Sequence, residues 1–316
     1  MLVIALGGNA FLRPGEERNF ANQNRHIRDA SKHLADIVES GHRIAITHGN
    51  GPQIGDTLLR HEAGQKMFKI PALPMDVCVA ETQGSVGYMI QQALRSELKR
   101  RKLNRIVVSI LTRVIIDRKD DELRHPTKPV GPFYSAQKYR KLTRDHPNYS
   151  FAYDRARKGW RRLIVSPNPK RIGIAEQAAI KLLVDSNCIA IACGGGGIPV
   201  IEESGWRARG IEAVVDKDLA SERLATLIGA DRLVILTDVE SAFVNYGKTD
   251  QRKLVRITAE EARRYINEGQ FAQGSMEPKM LAALHFVESG GKSSVICDLS
   301  KVSQALQGKA GTTIIP

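Results

Sequence analysis

Short runs of aliphatic and β-branched residues alternate with longer segments whose apolar positions recur every three or four residues, almost from end to end of the chain. Positions 2–6, 43–47, 188–193, 233–236 and 294–297 read as strands buried on both faces, and 106–116 reads as another. Between them, 22–40 places Ile27, Ala30, Leu34, Ile37 and Val38 on one helical face and ends at Gly41, a residue suited to a helix C-terminus. Further helices are predicted from about 54 and over 76–101, 175–184, 216–227, 259–267 and 275–288. Strands separated by helices imply parallel pairing with helices on both sheet faces. The pattern breaks over 117–166, where Pro126, Pro129, Pro132 and Pro147 punctuate a charged stretch without sustained helical period, so an insertion projecting from the sheet is expected. Two α/β halves, 1–205 and 206–316, are expected to meet between Gly194 and Asp216, with a ligand cleft between them.

Two of the strands run into short glycine turns, Gly7-Gly8-Asn9 and His48-Gly49-Asn50-Gly51-Pro52-Gln53. Parallel strands ending this way present backbone N–H groups from one sheet edge, which suits a phosphate or a developing oxyanion. Each turn alone also reads as a tight strand-to-helix connection that needs glycine for its backbone angles. The spacing of 49–55 is one residue too long for the dinucleotide G-x-G-x-x-G pattern, and Gly308-Lys309 lacks the upstream glycine of a P-loop.

Three lysines occupy unusual settings. Lys128 stands in Pro126-Thr127-Lys128-Pro129, where prolines fix the backbone around one long cation. Lys217 lies between Asp216 and Asp218 at a helix start, and Lys279 opens another helix after Gly274-Ser275-Met276. Singly, each is an ordinary surface charge; together they are what phosphoryl transfer needs, because its transition state spreads negative charge over equatorial oxygens. Asp216 and Asp218 read equally well as helix caps and as groups that orient the lysines. His48 reads as a loop hydrogen-bonder rather than a base, since an anionic acceptor oxygen is already a nucleophile.

Composition narrows the class. Hydrophobic residues at 42% with 5% aromatics suit an α/β core of Val, Ile, Leu and Ala. Cys78, Cys188, Cys193 and Cys297 lie far apart or in apolar runs, without metal-ligand spacing, so buried reduced thiols are favoured over a disulfide or a zinc site, and no metal ligands are assigned. Without a signal-like leader or a run of 18 apolar residues, a cytoplasmic location and no membrane partner are expected. The net charge of +13 is concentrated between 95 and 171, where 22 Lys and Arg face 7 Asp and Glu. Such a segment attracts small anions or nucleic acid. Phe133, Tyr134, Tyr139, Tyr149, Phe151, Tyr153 and Trp160 are interleaved with the charges as in an RNA-binding surface, or as the small core of a solvated insertion.

With these residues in view, the chain resembles the carbamate kinases of the amino acid kinase superfamily, nearly end to end. The likeness rests on ordered blocks that include 5–10, 47–55, Gln83-Gly84, 126–134, 159–162, 166–169, 194–200, 213–218, 236–239 and 274–279. Ala80-Glu81-Thr82-Gln83 stands where the family more often has Ala-Met-Ser-Gln. The resemblance implies a three-layer αβα sandwich with an open, mainly parallel central sheet, and a homodimer that binds no nucleic acid. It implies reversible transfer between ATP and carbamate, giving ADP and carbamoyl phosphate, with Mg2+ bound mainly through the nucleotide phosphates. By similarity, Gly7, Gly8, Asn9, Gly49, Asn50 and Gly51 hold the acceptor and the transferring phosphoryl group. Lys128 reaches in from a lid at 117–166, Lys217 and Lys279 neutralise phosphates, and Asp218 orients them. Thr237, Asp238, Tyr246 and Met276, with Lys217 and Lys279, line the nucleotide pocket in the C-terminal half. The alternatives are a kinase for a larger acid of the N-acetylglutamate type and a nucleic-acid-binding module using the basic insertion.

Overall fold

The computed structural model describes residues 1–8, 11, 16–155, 157–167, 173–203 and 207–316. Among them, eight strands form one sheet whose centre is β1 (Leu2–Leu6), flanked by β2 (Ile44–His48) and β12 (Arg232–Thr237). Outward from β2 lie β9 (Ile189–Ile191) and β3 (Val107–Ser109). Outward from β12 lie β16 (Ser293–Asp298), β17 (Thr312–Ile315) and β15 (Arg256–Thr258). All these neighbours pair in parallel except β16 with β17.

The reason for this arrangement is written in β1. All five of its residues are buried, and their side chains alternate between two cores: Leu2, Ile4 and Leu6 face one, Val3 and Ala5 the other. The first core is closed by α1 (Phe20–Glu39), α3 (Met75–Arg100) and α9 (Val302–Leu306). The second is closed by α5 (Gln177–Asp185), α6 (Lys217–Leu227), α7 (Ala259–Asn267) and α8 (Met276–Glu288). The result is the expected helix–sheet–helix sandwich. Helix α1 buries the predicted face, and its polypeptide turns at Gly41 with a φ of 84°. Helix α7 has the predicted limits because Thr258 and Glu261 form a reciprocal capping box.

Two expectations need correction. The run 106–116 is not one strand: β3 belongs to the main sheet, whereas β4 (Arg113–Ile115) joins β8 (Gly173–Ile174), β10 (Ile198–Glu202) and β11 (Ala208–Gly210) in a second sheet. The switch occurs at buried Thr112, whose amide donates to Gln83 Oε1 and whose hydroxyl accepts from the Cys193 amide, while its carbonyl accepts from the Ile198 amide and so begins the pairing with β10. The insertion, expected to lack a helix, contains α4 (Ala136–Asp145), capped by Ser135. No α4 residue is buried, so its period leaves little apolar trace. Around it, β5 (Pro126–Tyr134), β7 (Gly159–Val165) and β6 (Ser150–Asp154) form a three-stranded antiparallel sheet. A two-stranded ribbon, β13 (Phe243–Val244) with β14 (Arg252–Lys253), lies in the C-terminal half.

The interleaved aromatics are spent within the insertion. Tyr139 stacks on Trp160 at 3.9 Å between centroids, Phe151 packs edge-on against Tyr134 and Tyr139, and Arg162 lies 3.4 Å over Tyr149. This is the small-core arrangement rather than a row of bases' stacking partners. Helix α2 (Gly51–Phe68) carries the insertion: Ile54 packs with Val130 and Ile164, and Glu62 accepts from Tyr134 Oη and pairs with Lys138. No helix among the described residues is long and apolar enough to cross a membrane.

Trp160→Ala is expected to loosen the insertion alone, because the aromatic pair contributes about 0.5–1.5 kcal/mol beyond the area it buries. Hydrogen exchange should accelerate across β5–β7 and stay unchanged in β1, β2 and β12. Equal acceleration in both sheets would show that the insertion has no separate core.

Candidate active site

The registers of β1 with β2 and β12 place Leu6, His48 and Leu236 side by side, so the turns that follow leave from one sheet edge. The two glycines nearest the ladder continue it: the Gly7 amide donates to Leu236 O at 3.2 Å and the Gly49 amide to Leu6 O at 3.1 Å. Their N–H groups are therefore occupied, which leaves donor roles to Gly8 and Gly51. Gly49 lets the two turns approach closely, since a Cβ there would lie 3.3 Å from the Gly8 nitrogen and 3.8 Å from the Lys217 side chain. The two predicted turns and the predicted lysine thus converge. Asn9 lies outside the described residues, as do 168 and 169 of the 166–169 block.

The lysines are brought together by the start of α6. Asp216 caps this helix through Oδ1, accepting from the amides of Asp218 and Leu219, while its Oδ2 accepts from Lys128 Nζ at 2.8 Å. Both readings of Asp216 hold at once, one per oxygen. Burial pushes this carboxyl up, but the charge and hydrogen bond of Lys128, with help from Lys217, outweigh it and hold it below the usual carboxylate range. Asp218 is buried and sits between the other two cations, 2.7 Å from Lys217 Nζ and 3.3 Å from Lys279 Nζ. Lys279 also donates to Ser275 O at 3.1 Å. The Lys217 side chain is only 12% exposed, and its ammonium is off the hydrogen-bonding direction of Asp218 Oδ1. Burial lowers its pKa, Lys279 adds to that, and Asp218 opposes it. A buried cation with unused donor directions is a receptor for a further anion.

A cleft of about 810 Å³ opens beside this cluster, lined by Gly7, Gly8, Thr237, Asp238, Ser275 and Lys279. Helix α1 adds His26, Asp29 and His33 to its wall, a 26/29/33 spacing that keeps them on one face, and Asp298, the last residue of β16, adds to the lining. Sequence reasoning missed all four, although the 26/29/33 helical spacing is present in the sequence. A smaller cavity of about 160 Å³ shares Thr237, Asp238 and Ser275 with the cleft and continues between Phe243, Tyr246, Phe271 and Met276. Of the predicted nucleotide residues, Thr237, Asp238, Tyr246 and Met276 line this cavity, and Lys279 lies in the adjoining cleft.

Behind the turns lies a buried polar network that ties Asn50, expected to hold the acceptor, and His48, expected to hydrogen-bond within its loop, to Gln83 and the 194–197 loop. Gln83 donates to the carbonyls of Thr112 and Gly194, and Asn50 donates to Thr82 Oγ1 at 2.8 Å. The loop Gly194-Gly195-Gly196-Gly197 fills the space between them: a Cβ on Gly195 would fall 2.2 Å from Asn50 Nδ2, and φ there is +66°. His48 packs against Gly194 with its Nδ1 3.0 Å from Gly49 O. Burial lowers its pKa to about 4, partly opposed by the Gly49 carbonyl and assisted by the Lys217 charge, so the ring is neutral at pH 7. Nδ1–H then donates to Gly49 O, and His48 shapes the turn.

Comparison with known proteins agrees with this geometry. The model of a family described as "Amino acid kinase family" matches residues 1–298. The carbamate kinase of Pyrococcus horikoshii is 48% identical over 100% of this chain and 99% of its own length. That of Thermococcus kodakarensis is also 48% identical, over 99% and 98%. Among solved structures, a Giardia lamblia carbamate kinase bound to AMP-PNP superposes with a TM-score of 0.92 at 39% identity, covering 99% of this chain and 98% of that one.

The neutral state of buried His48 carries a stability cost at low pH. Between pH 6.5 and about 4 the unfolded chain takes up a proton on this ring that the native protein refuses, so stability falls as pH falls through that window, by about 3 kcal/mol in all. Urea midpoints measured from pH 7.5 to 4 should decline less steeply in His48→Gln than in the unsubstituted protein. Parallel slopes would mean that His48 ionises freely in the folded state.

Proposed function

The chain belongs to the amino acid kinase family, and on that footing we propose how its residues divide the work of a reversible phosphoryl transfer between ATP and carbamate. The transfer itself, which gives ADP and carbamoyl phosphate, is the activity that full-length likeness to carbamate kinases supports. A larger carboxylic acid as acceptor and nucleic-acid binding through the insertion are not favoured, the latter because the insertion's aromatics pack on one another.

The observation that carries the assignment is the buried Asp218 carboxylate holding Lys217 and Lys279 at the edge where both glycine turns leave the sheet. Carbamate and the transferring phosphoryl group are held by Gly8, Asn9, Asn50 and Gly51, with Gly7 and Gly49 allowing the backbones to approach. An anionic carbamate oxygen attacks the γ-phosphorus, a bond forms there as the bond to the β–γ bridging oxygen breaks, and the electron pair leaves with ADP. No proton has to move. Charge developing on the equatorial and leaving oxygens is met by Lys217 and Lys279, which Asp218 aims. The C-terminal half receives the nucleotide, its base against Phe243, Tyr246 and Met276 and its phosphates towards Thr237, Asp238 and Lys279. Asp29, Asp238 and Asp298 line the same cleft with the hard oxygen donors that would hold an Mg2+ ion carried mainly by the nucleotide, which would supply charge neutralisation at the phosphates.

In this reading the insertion is a lid that closes over the acceptor and delivers Lys128, excluding water from a labile acyl phosphate. The Lys128–Asp216 pair is its contact with the catalytic helix. The protein acts in the cytoplasm as a homodimer, for which exposed Met67, Phe68 and Ile70 at the end of α2 offer apolar surface.

Lys217→Ala and Lys279→Ala should each lower kcat about 100- to 1,000-fold in the ATP-forming direction with carbamoyl phosphate, ADP and Mg2+, the loss typical of an uncompensated transition-state charge. Near-UV circular dichroism should stay native. Turnover within threefold of the unsubstituted enzyme would remove that lysine from the mechanism. Ligand-dependent closure is read separately: hydrogen exchange in β5–β7 should slow when carbamoyl phosphate and ADP are added, and an unchanged pattern would make the insertion a fixed wall.

A further inference from the structure

Helices α2 and α3 bring together a second set of reactive side chains that the phosphoryl transfer does not use. His61 lies on α2, and Cys78 and Glu81, three residues apart, share one face of α3. One imidazole nitrogen, the thiol sulfur and one carboxylate oxygen all lie within 4.8 Å of one another. His61 Nε2 is 3.0 Å from Glu81 Oε2. A tetrahedral zinc ion with bonds of about 2.0–2.3 Å keeps its ligand atoms roughly 3.3–3.8 Å apart, so a contraction of about 1 Å or less completes the geometry.

Surroundings and donor chemistry agree with a metal. Cys78 is fully buried and packs with Ile54, Met75 and Val79, which closes the inner side, whereas the His61 and Glu81 side chains are 20% and 43% exposed and leave an entry path. Thiolate with imidazole and a single carboxylate is a set for zinc and similar ions, and unlike the oxygen-only set that Mg2+ prefers. The Cys78 thiol donates to Leu73 O at 3.6 Å, and metal binding would exchange that weak hydrogen bond for a sulfur–metal bond. We propose that His61, Cys78 and Glu81 bind a zinc-class divalent cation, with a fourth position left to water, and that the ion pins α2 to α3. On binding, the sulfur–metal bond forms as the thiol proton leaves to solvent. The clamp joins the two helices that support the acceptor turn, since α2 starts at Gly51 and Thr82 and Gln83 follow Glu81 directly on α3.

The test uses the full chain, freed of metal with a chelator and then titrated with Zn2+ by calorimetry and with Co2+ by absorption. One equivalent of Zn2+ should bind and raise Tm, an excess of Mg2+ should not compete, and Co2+ should give a thiolate-to-metal charge-transfer band. Cys78→Ser should abolish that band and Cys188→Ser should leave it. His61→Ala and Glu81→Gln, which change partly exposed positions and keep the fold, should each weaken Zn2+ binding at least ~10-fold, since even groups that merely support a ligand cost that much. The proposal is overturned if no stoichiometric Zn2+ binds, if the cobalt band is missing or survives Cys78→Ser, or if binding is unchanged in both His61→Ala and Glu81→Gln.

Discussion

Two ammonium groups can share the inside of a cleft only if an anion stands between them, and Asp218 is that anion here. Its position is dictated twice: by the first turn of α6, where Asp216 caps the helix and receives the Asp218 amide, and by the packing that buries it. Removing one member of a buried ion pair leaves an uncompensated charge that typically costs about 3–5 kcal/mol. The arrangement therefore makes the waiting site tolerable. It does not neutralise it: two lysines against one carboxylate leave a surplus positive charge, which the proposed transfer would use to receive a phosphate.

The support for this cluster is rigid and largely uncharged. Gln83 spans from α3 to Thr112 and Gly194, Asn50 is tied to Thr82, and the four consecutive glycines leave no room for side chains between them. His48, neutral because it is buried, belongs with this group. Such groups hold the backbone of this turn without adding a net charge beside the lysines.

Much of this was legible in the sequence for physical reasons. Strands buried on both faces have unbroken apolar runs, so β1, β2, β12 and β16 announce themselves. Helices with capping residues, such as α1 and α7, show their ends as well as their faces. The lysines stood out because prolines, acids and glycines framed them. What was hidden depended on contacts between distant segments. The chain changes sheets at Thr112 through contacts with the distant Gln83, Cys193 and Ile198. His26, Asp29 and His33 belong to the cleft only because α1 packs beside β1. His61 and Cys78 are far apart in sequence and on different helices, so no ligand spacing could reveal their approach.

The parallel ladder between β1 and β12 runs unbroken from Leu2 opposite Arg232 to Leu6 opposite Leu236, and through it the two halves of the chain share a single sheet. Mechanically, this is a girder rather than a hinge. Swinging one half against the other would shear hydrogen bonds at the middle of the molecule, beneath two closed cores. The distance between the acceptor turns and the Thr237 turn is therefore set by strand spacing, about 4.8 Å per neighbour. In the transfer proposed for this cleft, donor and acceptor would be held to a fixed gauge, and any moving part would be mounted on the rim.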